Sequence, residues 1–155
     1  METIGLILLA GLIGTVCMSI SMWSIHYAGS VNADMIRAIG SFFTKDMNKA
    51  LVPGIITHIV FGIMFAFPYA LIINLAPHVL IAYIVTGGAL GFFHGYLVGF
   101  VLVALVAQRH PLEQFREAGI SVAAAHVFGH LIYGVGVGVV LGLAGFNFRL
   151  VLGMN

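Results

Sequence analysis

Four long stretches of the chain, about Ile4 to Tyr27, Ala50 to Asn74, Leu80 to Ala107 and Ile120 to Leu143, contain no Asp, Glu, Lys or Arg. Each reaches the ~20 apolar residues that a helix needs to cross a hydrocarbon layer of roughly 30 Å. None alternates apolar with polar residues, as a barrel strand must. The pattern therefore predicts an all-α membrane protein: one domain over residues 1–155 with four transmembrane helices in an up-down-up-down bundle (spans about 4–27, 50–74, 80–107 and 120–143). The segment Ala33 to Phe43 places Met35, Ile36, Ile39 and Phe43 at helical spacing, which predicts a short interfacial helix. A second is predicted where His110-Pro-Leu-Glu-Gln-Phe-Arg-Glu117 opens with proline at a first helical position and ends at Gly119. The connection between the second and third spans is short and contains Pro77, so those spans are expected to be antiparallel neighbours. Pro68 removes a backbone donor within the second span and is expected to bend it.

Composition assigns the solvent. With 61% hydrophobic and 7% charged residues and a mean hydropathy of +1.14, the chain needs lipid to cover its apolar surface. A net charge of +1 is too small for a nucleic-acid footprint, and no such partner is expected. Cys17, the one cysteine, lies in mid-span and reads as a small core residue. The chain opens Met1-Glu2 and runs on hydrophobically, unlike a cleaved secretory signal, so the first helix is read as a mature span. Arg37, Lys45, Lys49, Arg109 and Arg116 all fall in loops 28–49 and 108–119, against Arg149 alone on the other side. The positive-inside rule then makes both loops cytoplasmic and both termini extracytoplasmic, in a multi-pass protein of the cytoplasmic (inner) membrane. Trp23 and Tyr27 suit an interfacial belt at the cytoplasmic end of the first span.

Small residues recur every four positions. The third span carries Gly87, Gly91, Gly95 and Gly99; the fourth carries Gly134, Gly138 and Gly142. Such rows let helix backbones approach closely in lipid, so they are expected to face other helices. The histidines sit on these rows. The fourth-span row extends back through His130 and His126, the second reads Ala50, Gly54, His58, Gly62, Ala66, Ala70, and the first reads Ala10, Gly14, Met18, Met22, His26. His94 lies seven residues after Gly87, about 20° around the helix. His58, His94, His126 and His130 are thus expected to cluster in the cytoplasmic half of the bundle, with His26 and Met22 as additions, while His78 and His110 are expected at solvated surfaces. The segments His58-Ile-Val-Phe-Gly62 and His130-Leu-Ile-Tyr-Gly134 share a pattern that suggests a parallel repeat, with His58 facing His130.

Polar side chains inside a bilayer are costly and mark functional sites by default. Imidazoles bind transition metals such as Fe, Cu or Zn, and His126 and His130 stand one turn apart. His58 and His130 could instead be the axial ligands of a haem b; no CxxCH is present for covalent haem. Each histidine could also simply hydrogen-bond a neighbouring helix, or serve a proton or small-molecule path. Asp34, Asp46, Glu113 and Glu117 lie in loops, where surface charge is the simpler reading, although Glu113 and Glu117 could fold over the cluster to complete a metal site. GxSxG, HExxH, P-loop and dinucleotide fingerprints are absent, no catalytic residue is singled out, and enzyme activity stays open.

The segments Ala10-Gly-Leu-Ile-Gly-Thr-Val-Cys-Met18, His58-Ile-Val-Phe-Gly62, Gly87-Gly-Ala-Leu-Gly91 and Gly129-His-Leu-Ile-Tyr-Gly134 resemble those of an uncharacterised family of small bacterial four-helix integral membrane proteins. The resemblance implies the four-span architecture and carries no activity, and His94 and His126 depart from its pattern. The expectation from the residues is an accessory or redox subunit holding a transition metal or b-type haem. The alternatives are a structural subunit packing through glycine faces, with other membrane subunits or as a homo-oligomer, and a proton or small-molecule path.

Overall fold

The computed structural model describes residues 2–29 and 31–148; Arg149, used above for orientation, lies outside them. Its elements are α1 (Glu2–Tyr27), α2 (Met35–Thr44), α3 (Leu51–Ile73), α4 (Leu80–Val101), a π-helical stretch (Leu102–Val106), α5 (Ala107–Arg109), a 3₁₀ turn (Glu113–Phe115) and α6 (Ile120–Leu143). No strand occurs among the described residues. Four of the helices, with α4 continued through Arg109, are long and apolar enough to cross a membrane, which marks a multi-pass membrane protein. α3 runs through Pro68 without interruption.

The glycine rows do face other helices. A Cβ on Gly87 would overlap the Gly134 carbonyl, one on Gly91 the His130 carbonyl, and one on Gly138 the Tyr83 carbonyl. One on Gly95 would come within 2.7 Å of the Val127 Cα, and one on Gly99 within 3.1 Å of the Ala123 carbonyl oxygen. Partner numbers fall as α4 numbers rise, so α4 and α6 run antiparallel with their backbones in contact. On its other side α6 meets α1, where a Cβ on Gly14 would sit 2.9 Å from the Tyr133 carbonyl oxygen. α1 in turn meets α3, where one on Gly11 would sit 2.8 Å from the Ala66 Cβ. Half of the most apolar stretch of α6 is buried, against 17% for α3, so α6 is the central helix.

This order corrects one expectation. Despite the short turn joining them, α3 and α4 scarcely touch, because the glycine row of α4 fits α6 and the small-residue row of α3 fits α1 and α2. The gap left between α3 and α4 becomes important below.

α2 forms where the sequence predicts a short helix. Asp34 caps it, accepting from the Arg37 backbone N–H at 3.2 Å and from its guanidinium at 2.9 Å. That hydrogen bond pushes the Arg37 pKa further up, so the ion pair stays charged. The helix stops at Lys45, whose left-handed backbone (φ 52) returns its N–H to the Ser41 carbonyl. α2 lies against the start of α3: a Cβ on Gly40 would overlap the Ala50 carbonyl, and one on Gly54 the Ile36 carbonyl.

The second loop departs from the expected surface helix. Leu112 is extended (φ −100, ψ 128) and only one 3₁₀ turn forms. Side chains have taken the backbone groups a helix would use: the Leu112 N–H donates to His110 Nδ1 at 3.1 Å, and Arg116 Nε donates to the His110 carbonyl at 2.7 Å. His110 itself is no solvated loop residue. It is 2% exposed. With Nδ1 accepting, its Nε2–H donates to the Ala38 carbonyl at 3.0 Å, and its ring lies edge-on to Phe42 and Phe115, tying this loop to α2. His78, also expected to be solvated, is exposed but bonded through Nδ1 to the Tyr83 hydroxyl.

Two outcomes follow for unfolding in mild detergent. Gly91→Val is expected to cost about 1–3 kcal/mol by overpacking the α4–α6 contact, whereas Gly5→Ala, which meets open space, should stay within about 0.5 kcal/mol of the parent. His110→Leu orphans the Leu112 N–H at a cost of about 1–3 kcal/mol. Hydrogen exchange should then speed up across α2 and leave α6 unchanged.

Candidate functional site

The gap between α3 and α4 is a cavity of about 450 Å³. His58 comes from α3, His94 from α4, and His126 and His130 from α6, and all four line it. Met18 and Thr15 of α1 lie behind them, and Met35, Ile39 and Phe42 of α2 close one end. Phe61, Phe65 and Leu97 also line it and are exposed on the outer surface, so the cavity opens sideways, where a membrane helix meets lipid. Each histidine is placed by the helical repeat: His58 and His130 stand four residues before Gly62 and Gly134, on rows that turn inward.

His94 and His130 are the closest pair, ring centroids 4.7 Å apart and edge to face. His58 lies within electrostatic reach of His126 and His130. His94 Nδ1 shares a 3.2 Å hydrogen bond with the Tyr69 hydroxyl and packs on Phe65. His126 and His130 are held alike, each with Nδ1 2.8 Å from the carbonyl one turn earlier, of Val122 and His126 respectively. A carbonyl can only accept, so in both neutral rings the proton is on Nδ1 and Nε2 carries a lone pair. The Nε2 atoms of His126 and His58 are buried and have no hydrogen-bond partner. A buried polar atom left unpaired costs about 1–3 kcal/mol, and Trp23 Nε1 and His26 Nδ1, on residues outside the cavity wall, are unpaired in the same way.

His26 and Met22 do not line the cavity. Met22 is buried against Gly129, and the His26 ring lies edge-on to Tyr27. Among the described residues no three His, Cys, Asp or Glu side chains come together as a metal-binding group. Glu113 and Glu117 are exposed and neither reaches this cavity. Glu117 instead lines a second cavity of about 520 Å³, between α2, the second loop and the start of α6, alongside Asp34, His110 and His126. His126, Met35, Ile39, Phe42 and Leu102 belong to both walls, so His126 stands at the divide between the two cavities.

Sequence reasoning overlooked the tyrosines. Tyr69 holds His94, and Tyr133 lines the cavity while its hydroxyl donates to the Gly62 carbonyl at 2.6 Å, joining α6 to α3. The available signal was that a tyrosine within a span must find a partner for its hydroxyl. The contribution of α2 had no such signal, because it depends on how the loop folds back. Compared with family models, curated proteins and solved structures, the chain matches none of them.

Proposed function

We propose that this protein is an intramembrane binding protein that takes a small, largely apolar molecule from the bilayer into the histidine-lined cavity. The observation that carries this reading is the convergence of four imidazoles from three helices on one laterally open cavity. A pocket of this size, mostly apolar with a few converging polar groups, is the usual form of a small-molecule site. In this reading the four spans form an up-down-up-down bundle in the cytoplasmic membrane, with loops 28–49 and 108–119 in the cytoplasm and both termini outside. The exposed face of α4, with Phe93, Tyr96, Leu97 and Phe100, meets lipid, another membrane subunit or a second copy.

A second reading keeps a transition metal or b-type haem at the same imidazoles, with the protein acting as an accessory or redox subunit. It is favoured by the Nδ1–H to carbonyl bonds of His126 and His130, the outer-shell arrangement that orients metal-binding imidazoles. A third ligand would have to come from a side-chain movement or from outside the chain.

Photolabelling in lipid nanodiscs separates them. An uncharged alkylphenyl diazirine should label His94 and His130 saturably, since both line the cavity and keep part of their surface accessible. Labelling confined to outward residues, or rising linearly with probe at His94 and His130, removes the small-molecule reading. An absorption band or stoichiometric metal in the purified protein, lost in His130→Ala, would establish the second.

A further inference from the structure

We infer that the molecule bound in this cavity is a neutral hydrogen-bond donor, an apolar compound bearing a hydroxyl group, which the Nε2 lone pair of His130 receives. The inference rests on the binding reading above and specifies its ligand class. It follows from where the protons must be. The His130 ring spends its one N–H on the His126 carbonyl of its own helix, at 2.8 Å. What it can offer at Nε2 is an acceptor alone. His130 lines the cavity and is 9% exposed, whereas the Nε2 of His126 is closed off by its neighbours. A carbonyl, ether or carboxylate ligand would set lone pair against lone pair at His130 Nε2. A hydroxyl would complete the bond.

Charge narrows the class further. Among the described residues no Asp, Glu, Lys or Arg lines this cavity, so a charged ligand would go without a counter-ion in surroundings of low dielectric. The rest of the wall is apolar and partly aromatic, with Phe61 and Phe65 at the mouth and Met18 behind. A hydroxyl on a ring or chain matches this division: apolar body against the mouth, O–H toward α6. Phenols and aliphatic alcohols share that chemistry.

The test uses the full chain in nanodiscs and competition against the diazirine label at His94 and His130. The probes are 4-hexylphenol, 4-hexylcyclohexanol and 4-hexylanisole, the last a methyl ether with no donor. At least one of the two hydroxyl compounds is expected to compete about tenfold more tightly than the ether, since the ether leaves the imidazole unpaired. Which of them does so assigns the ring type. Equal competition by all three, or a preference for the ether, overturns the inference and leaves the binding reading standing. Absence of saturable labelling overturns both. A second readout needs no variant that might misfold. In ¹⁵N-histidine-labelled protein, His126 and His130 are expected as Nδ1–H tautomers, and the Nε2 resonance of His130 is expected to move upfield as the competing alcohol is added. A proton found on His130 Nε2, or a His130 resonance that does not move, overturns the assignment of this ring as the acceptor.

Discussion

Backbone contact between α4 and α6 is the interaction on which the rest of the molecule depends. Lipid is as apolar as leucine, so helices in a bilayer gain little by hiding apolar side chains from each other. What remains is close packing. The missing Cβ atoms of Gly87, Gly91 and Gly95 bring one backbone against the carbonyls of the other, where many weak dispersion contacts add up. Because α6 also receives α1 on its other side, it is packed on two faces and is the most deeply buried span, and it carries two of the four cavity histidines.

The cavity is a consequence of that preference. α4 is committed to α6, α3 is committed to α1 and α2, and the two helices joined by the shortest turn are left apart. His58 and His94 line this gap from its two sides, and the hydrogen bond between His94 and Tyr69 bridges it. A bilayer does not flood such a gap with water, so the polar atoms in it must be satisfied by protein or by a guest. Nδ1 of His126 and Nδ1 of His130 are satisfied within α6, and Nε2 of His126 is not. The same bonds that make these residues comfortable in a helix also decide which proton each ring can offer.

At the loop end of the cavity, a different physics applies. α2 and the second loop are held by an ion pair, a buried histidine and arginine-to-carbonyl bonds, which suit a region where the chain leaves the apolar layer. Met35, Ile39 and Phe42 of α2 are thereby placed over the cavity end, and His126 is placed between the inner and outer cavities. His110 serves this arrangement through both ring nitrogens with the tautomer opposite to that of His126, its proton on Nε2. Two imidazoles of one chain thus differ in what they present because their neighbours differ.

The sequence by itself determined the four spans, the short helix near Met35 and the inward direction of the glycine and histidine rows, because each is a periodicity along one helix. A helical repeat tells which side of a cylinder a residue occupies. It does not tell which cylinder lies opposite. Only the tertiary structure decided that α4 pairs with α6 and not with α3, that Tyr69 and Tyr133 join the histidines, that His26 and Met22 stand outside the cavity, and that His110 is buried. Those outcomes depend on backbone approach distances between separate segments and on the folding back of loops, which no spacing within a single helix contains.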